Sequence, residues 1–255
     1  MTNVKNTSIE LKMEEIMDKI VIIGIGDVAI TVKNFIERHH LFEVIAFSVN
    51  KEYVKESTYE GLPIIPFEEL DKHIDKDKVY TFVAASHFNY MHRVKRKLYT
   101  MLKDNGYMVA NLISPLATIV PGVKMGCGNW IHDYAYIDED VNIGSNNVIR
   151  QYAYIAHWCC IGNHNFIGIK SMIAGKCVIG DQNFFGVSST LFNRIHIGNK
   201  CIIGAGTVIK KNVKDYCMCR VANNVEVFEY DEDTIENKLG PMPENYRKYY
   251  DTIKK

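Results

Sequence analysis

Of the nine histidines in this 255-residue chain, His157 has the setting best suited to chemistry, in the stretch Ile155-Ala156-His157-Trp158-Cys159-Cys160-Ile161-Gly162. Histidine ordinarily titrates near pH 6.5. It can therefore act as a general base or acid near neutral pH. His39 and His40 close a helix, where partial positive charge suits the dipole. His73, His87 and His92 sit in polar or helical stretches with no pattern around them, although His87 could reach a nucleotide. His132, His164 and His196 are expected on turns or outer faces, as surface or interface residues. A second chemical signal is Gly24-Ile25-Gly26-Asp27-Val28-Ala29, a G-x-G-x-x-A turn between a strand and a helix. Such a turn offers backbone N–H groups and a helix N-terminus to phosphate. Glycines also serve tight turns that bind nothing. A nicotinamide dinucleotide site would want an acid at the end of the next strand, where the chain has Ser48, Val49 and Asn50. A nucleoside diphosphate without nicotinamide fits better, with Gly24, Gly26, Asp27, Ser48, Asn50 and Ser86 as the candidate contacts.

The residues that must hold His157 recur every six places. From Ile119 to Ile209 there are sixteen such slots; thirteen are Ile and the others are Met125, Phe185 and Leu191. Gly or Ala often follows, as at Gly144, Ala156, Gly162 and Gly180, and two residues before each slot stands a mostly small residue such as Ala153, Cys159 or Ser171. Six residues make one short strand and one tight turn, and three units close a triangular coil with Ile pointing inward. The glycines are expected to permit the corner backbone. Residues eighteen apart then stack at roughly 4.8 Å. The outward residue before each Ile falls into columns, one of them Trp130, Val148, Phe166, Phe184, Ile202. An apolar column outside a filled coil needs cover. Packing on the N-terminal domain or the C-terminal tail would supply it; a partner subunit is the favoured reading, placing this column in or beside an interface between copies.

Stacking also gives His157 a neighbour. Glu139 lies eighteen residues earlier at the same corner, beside Asp138, and is expected to orient and charge His157, unless it is simply a solvated corner acid. Zinc chemistry would need three converging histidines. The positions two coils either side of His157 hold Pro121 and Asn193, so no metal is expected. Cys127, Cys159, Cys177 and Cys201 occupy small interior slots. Cys217 and Cys219 form C-x-C without a second pair, so neither a disulfide framework nor an acyl-cysteine intermediate is expected.

Residues 19–112 follow other rules. Buried strands IVIIGIG, FEVIAFSV, VYTFVAA and YMVANLIS alternate with helices over DVAITVKNFIERHH and HFNYMHRVKRKLYTMLKDNG, a Rossmann-like α/β domain with a small parallel sheet. The reading divides the chain into an extension at 1–18, this domain at 19–112, a parallel β-helix at 113–228 and a tail at 229–255. The tail's PENYRKYYDTIKK suits a short docking helix. Lysine plus arginine equals aspartate plus glutamate at 30 each, which argues against nucleic acid or anionic membrane as partner. No apolar run nears the roughly 20 residues that span a bilayer. The polar start lacks a signal-peptide core, so the expected location is the cytoplasm.

Together, the glycine-turn α/β domain and the hexapeptide coil resemble the bacterial sugar acyltransferases of the sialic-acid O-acetyltransferase type. Within that group the chain is most similar to the N-acetyltransferases of nucleotide-linked amino sugars. The resemblance covers roughly residues 20–225 and implies a left-handed coil, a homotrimer, a nucleotide sugar on the N-terminal domain and acetyl-CoA along the β-helix. It implies His157 as catalytic base, with Trp158 standing where the family often has an acid. It further implies Gly175 as backbone donor to the thioester carbonyl, and Phe166, Val187, Gly204 and Ala205 against CoA. Lys210 and Lys211 could meet the CoA phosphates. Transfer to a sugar hydroxyl, or of a longer acyl chain, is the nearest alternative. A non-enzymatic nucleotide-sensing scaffold is a remote one.

Overall fold

The computed structural model describes residues 17–85, 93–221 and 225–229. The extension up to residue 16, Ser86, His87, His92 and the tail from residue 230 lie outside the described residues.

The N-terminal domain runs β1 (Lys19–Ile23), α1 (Asp27–Arg38), β2 (Glu43–Val49), β3 (Thr58–Tyr59), β4 (Leu62–Pro66), α2 (Leu70–His73), β5 (Val79–Val83) and α3 (Arg93–Asp104). Its sheet has the order β3-β4-β2-β1-β5, parallel except for the β3–β4 hairpin. Ile20, Val21 and Ile22 are wholly buried because β1 is central and covered on both faces. α1 buries Ala29, Val32, Phe35 and Ile36, the one-sided spacing of an amphipathic helix. YMVANLIS, expected as a fourth strand of this sheet, is divided. Val109 makes one bridge to Thr81, and β6 (Leu112–Ile113) pairs with Trp130–Ile131 of the next domain. Asn111 explains the transfer. Its side chain accepts from Asn129 N–H at 2.9 Å and donates to Gly126 O at 2.8 Å, so the first coil captures the chain.

From β7 (Thr118–Ile119) to β22 (Val208–Ile209), sixteen two-residue strands build a left-handed parallel β-helix. Partners lie eighteen residues apart, as in Ile149 with Ile167 and Ile155 with Ile173. Three flat sheets result, called here the Trp130, Tyr154 and Cys160 faces after one outward residue of each. The aliphatic slots and Cys159, Cys177, Cys201, Cys217 and Cys219 fill the interior. The Trp130 face is extended by β23 (Cys217–Val221) and β24 (Val225–Glu229).

One expectation about the coil needs correction. The glycines after the Ile slots do not carry the left-handed backbone. That conformation falls two residues later, on Asn146, Trp158, His164 and Lys176, with φ between 57° and 63°. The glycines are needed for space: a Cβ on Gly162 would stand 2.7 Å from Gly180 O of the next coil. The mostly small slots two before each Ile have one regular exception. Along the Trp130 face they hold Asn129, Asn147, Asn165 and Asn183, all buried. Each Oδ1 accepts the backbone N–H one coil on, at 2.7–2.9 Å, ending at Cys201. This ladder satisfies polar groups that would cost about 1–3 kcal/mol each if left unpaired.

The Trp130 column does not await a second subunit. Trp130 is 2% exposed and meets Phe35 and Phe82 edge-on, with ring centres 5.6 and 6.2 Å apart. Trp130, Val148 and Phe166 share one buried cluster with Ile20, Ile22, Val32 and Phe47. The cover is the chain's own N-terminal domain. Asp133 pins the edge of this contact, accepting from Arg38 at 3.2 Å and facing His39 Nε2 at 2.8 Å. His132 lies in the same contact. It is buried between Trp130 and Phe35, and burial, then the Arg150 charge, push its pKa down to about 3.

Candidate active site

The coil places His157 at the vertex between the Tyr154 and Cys160 faces, after Tyr154–Ile155 and before Cys160–Ile161. Backbone bonds fix the height of each rung there: Trp158 N–H donates to Glu139 O, Lys176 N–H to His157 O and Arg194 N–H to Gly175 O, at 2.9, 3.0 and 3.0 Å. The His157 side chain is 45% exposed. Nδ1 lies 3.5 Å from Asp138 Oδ2. Nε2 lies over Gly175, so close that a Cβ there would stand 2.7 Å from it. Gly175 is buried beneath the ring, and none of the described residues accepts its N–H.

This corrects the expected partner. Asp138, not Glu139, faces the imidazole; Glu139 is exposed, and its N–H donates to Asp138 Oδ1 at 2.9 Å. Stacking by eighteen gives the right coil, but the corner turns the next residue's side chain outward. Trp158 is 49% exposed and held from both sides. Its Nε1 donates to Asp140 Oδ2 at 3.1 Å, and Lys176 Nζ lies 4.6 Å from its ring centre. The vertex is electrically polar: Asp138, Glu139 and Asp140 lie one coil before His157, while Lys176, Arg194, Lys210 and Lys211 follow it.

The expected CoA contacts divide. Val187 and Ala205 are exposed and stacked, with Gly206 N–H donating to Val187 O at 2.8 Å, and Gly204 lies beside them. They occupy the vertex between the Trp130 and Tyr154 faces, a different one from that of His157. Lys210 lies on the His157 vertex, its Nζ 5.3 Å over the Phe192 ring. Phe166 is withdrawn. At 7% exposure it packs under the N-terminal domain and stacks on Phe184 with ring centres 5.0 Å apart, so it is not open to a pantetheine chain.

In the N-terminal domain, Gly24 N–H donates to Ser48 O at 2.7 Å, and a Cβ on Gly24 would stand 2.5 Å from Ala84 O. Ser48 is wholly buried, so it shapes the turn with its carbonyl and does not present its hydroxyl to a ligand. Gly26 precedes α1 with φ 97°, and its N–H donates to Tyr59 Oη at 3.1 Å. Asp27 is exposed at the first turn of α1, and Asn50 is half-buried after β2. Tyr59 was missed because its strand has only two residues, too short to show an alternating pattern. This domain sits on the Trp130 face, and the vertex opposite that face is His157's. One chain therefore keeps the glycine turn and His157 apart. Among the described residues, no group of three or more His, Cys, Asp or Glu could hold a metal ion.

Residues 122–157 match the family described as bacterial transferase hexapeptide (six repeats). No curated protein matches the chain in sequence. Among solved structures the chain is similar to PerB from Caulobacter crescentus in complex with CoA and GDP-perosamine, with TM-score 0.71 and 25% identity over 82% of this chain and 97% of that one. It is similar to a variant of perosamine N-acetyltransferase from Caulobacter crescentus holding the same two molecules, with TM-score 0.71 and 24% identity over 83% and 97% of the chains. It is also similar to the acetyltransferase domain of PglB from Neisseria gonorrhoeae in complex with acetyl coenzyme A, with TM-score 0.71 and 19% identity over 83% and 100%.

Proposed function

We propose that the chain is an acetyl-CoA-dependent N-acetyltransferase acting on a nucleotide-linked amino sugar, of the broader sialic-acid O-acetyltransferase type, working in the cytoplasm. One observation carries the reading: the α/β domain and the β-helix together follow PerB, which holds CoA and GDP-perosamine, over 97% of its length. The vertex chemistry agrees. His157 Nε2 accepts a proton from the sugar's neutral amine as the nitrogen lone pair attacks the thioester carbonyl carbon. The tetrahedral oxyanion is met by a backbone donor, for which Gly175 N–H is the candidate. When the intermediate collapses, the C–S bond breaks and the proton on His157 passes to the leaving sulfur. The products are an N-acetyl sugar and CoA thiol, with no covalent enzyme intermediate.

The charge polarity of the vertex supports an amine over a hydroxyl. The acidic rung before His157 attracts a sugar ammonium, which must lose a proton before attack, and the basic rungs after it suit the phosphates of CoA. Because the glycine turn and His157 lie on opposite sides of one coil, the sugar nucleotide reaches His157 between copies, in a homotrimer. Val187, Gly204 and Ala205, on a different vertex from His157, would meet CoA across the same junction.

The test is a panel of UDP-, dTDP- and GDP-linked amino sugars with acetyl-CoA, following thiol release. One sugar should support turnover that H157A removes while CoA binding persists. Absence of turnover on amino sugars, with turnover on the matching hydroxyl sugars, would overturn the N-acetyl assignment.

A further inference from the structure

Three consecutive acids precede His157 by one coil, and the structure gives each a different job. Asp140 Oδ2 takes the Trp158 indole N–H. Glu139 is exposed, and among the described residues it is held through its backbone. Asp138 divides its two oxygens: Oδ1 accepts Glu139 N–H at 2.9 Å, and Oδ2 lies 3.5 Å from His157 Nδ1. Oδ2 also accepts the Tyr154 hydroxyl at 3.5 Å. Tyr154 is braced by stacking on Tyr136, with ring centres 5.2 Å apart. Burial, then the Asp138 charge, push the Tyr154 phenol upward, so it stays a donor across the working pH range. The Asp138 side chain is 19% exposed against 45% for His157, so the carboxylate is the better screened of the two from water.

We propose that Asp138 is the positioning residue of this site: its Oδ2, steadied by Tyr154, keeps the imidazole proton on Nδ1 and leaves the Nε2 lone pair free over Gly175. The inference rests on the reading of His157 as base and supplies what that reading lacks, since Trp158 is a donor only and cannot hold Nδ1–H. A neutral imidazole carries one proton on either of two nitrogens. A carboxylate accepts only, so facing Nδ1 it selects one tautomer and orients the ring.

Asp138→Asn tests this with little change of shape. Oδ1 is already committed to Glu139 N–H, so the Asn amide keeps its oxygen there and turns its NH2 toward Nδ1. That NH2 donates, which drives the ring proton to Nε2 and blocks the base. The expected loss in kcat is about 10²-fold, the low end of what a positioned base contributes, with the KM for acetyl-CoA unchanged. Asp138→Glu, which keeps a carboxylate, should recover part of the rate, and Tyr154→Phe should lose less than Asp138→Asn.

An activity-independent readout is nitrogen-15 NMR of histidine-labelled protein, with His157 assigned from the signals lost in H157Q. Wild type should show a protonated Nδ1 and a bare Nε2, and D138N the reverse. An unchanged tautomer in D138N overturns the proposal even if activity falls. So does wild-type kcat in D138N, or a tautomer that responds to E139Q instead. The NMR result holds whether or not any sugar of the panel turns over, so failure of the enzymatic reading and failure of this one are told apart.

Discussion

Gly175→Ala separates the site from the fold. At this position a new Cβ would meet three atoms of one movable side chain, with His157 Nε2 nearest at 2.7 Å. Ordinary contact begins at 3.4 Å, so the ring must withdraw by about 0.7 Å or rotate away from its place. The Gly175 φ lies outside the left-handed region, so alanine fits the backbone there. On chain entropy alone, the substitution would favour the folded state by about 0.4–1 kcal/mol. A base displaced by most of an ångström costs on the order of 10²-fold in rate. Thiol release should therefore fall by about that factor while the thermal midpoint holds or rises slightly. Gly162→Ala is the control. Its Cβ would stand 2.7 Å from Gly180 O, a backbone atom that cannot step aside, so this variant should lose stability. G175A with wild-type kcat, or G175A unfolding like G162A, would refute the placement of the imidazole over Gly175.

Trp130→Ala should cost about 3–5 kcal/mol in denaturant unfolding and expose the N-terminal domain to limited proteolysis, because the indole is shared by both domains. Asn165→Ala removes the Oδ1 that accepts Asn183 N–H at 2.8 Å; a loss of about 1–3 kcal/mol in the same assay is expected for the orphaned donor. Lys95 lies 1% exposed against Asn146 O, at 3.2 Å, and Asn146 Oδ1, and burial pulls its pKa from 10.5 to about 7. The unfolded chain then binds more protons than the folded one between pH 7 and 10.5. Stability should rise with pH across that window, with the full penalty present below pH 7. Lys95→Met should flatten this slope, read as the denaturation midpoint against pH.

The β-helix is legible in the sequence because a six-residue repeat is local. Each Ile slot declares its own orientation, and eighteen-residue stacking follows from three units per coil. The same count stacks Gly175 one coil after His157, but it does not by itself give either residue a chemical role. The count fails where side-chain direction matters. It selects the coil holding Asp138 and Glu139 but not which of them turns toward the ring. The column of Trp130, Val148 and Phe166 shows that cover is needed without saying whose. Buried aromatics look alike under a neighbouring domain and under a partner subunit, and here the domain supplies the cover. The asparagine ladder is visible as Asn129, Asn147, Asn165 and Asn183 at eighteen-residue steps, yet a rule written for small residues overlooks it. Tyr59 reaches Gly26 through a hairpin of two-residue strands, which leaves no periodic trace.

His157 as the base is tested most directly by pairing two measurements on H157N, a substitution that keeps a polar side chain at the vertex. With an accepted nucleotide-linked amino sugar, CoA release should drop by about 10²-fold or more, while calorimetry gives wild-type affinity for CoA. Release at the wild-type rate from H157N would contradict the account.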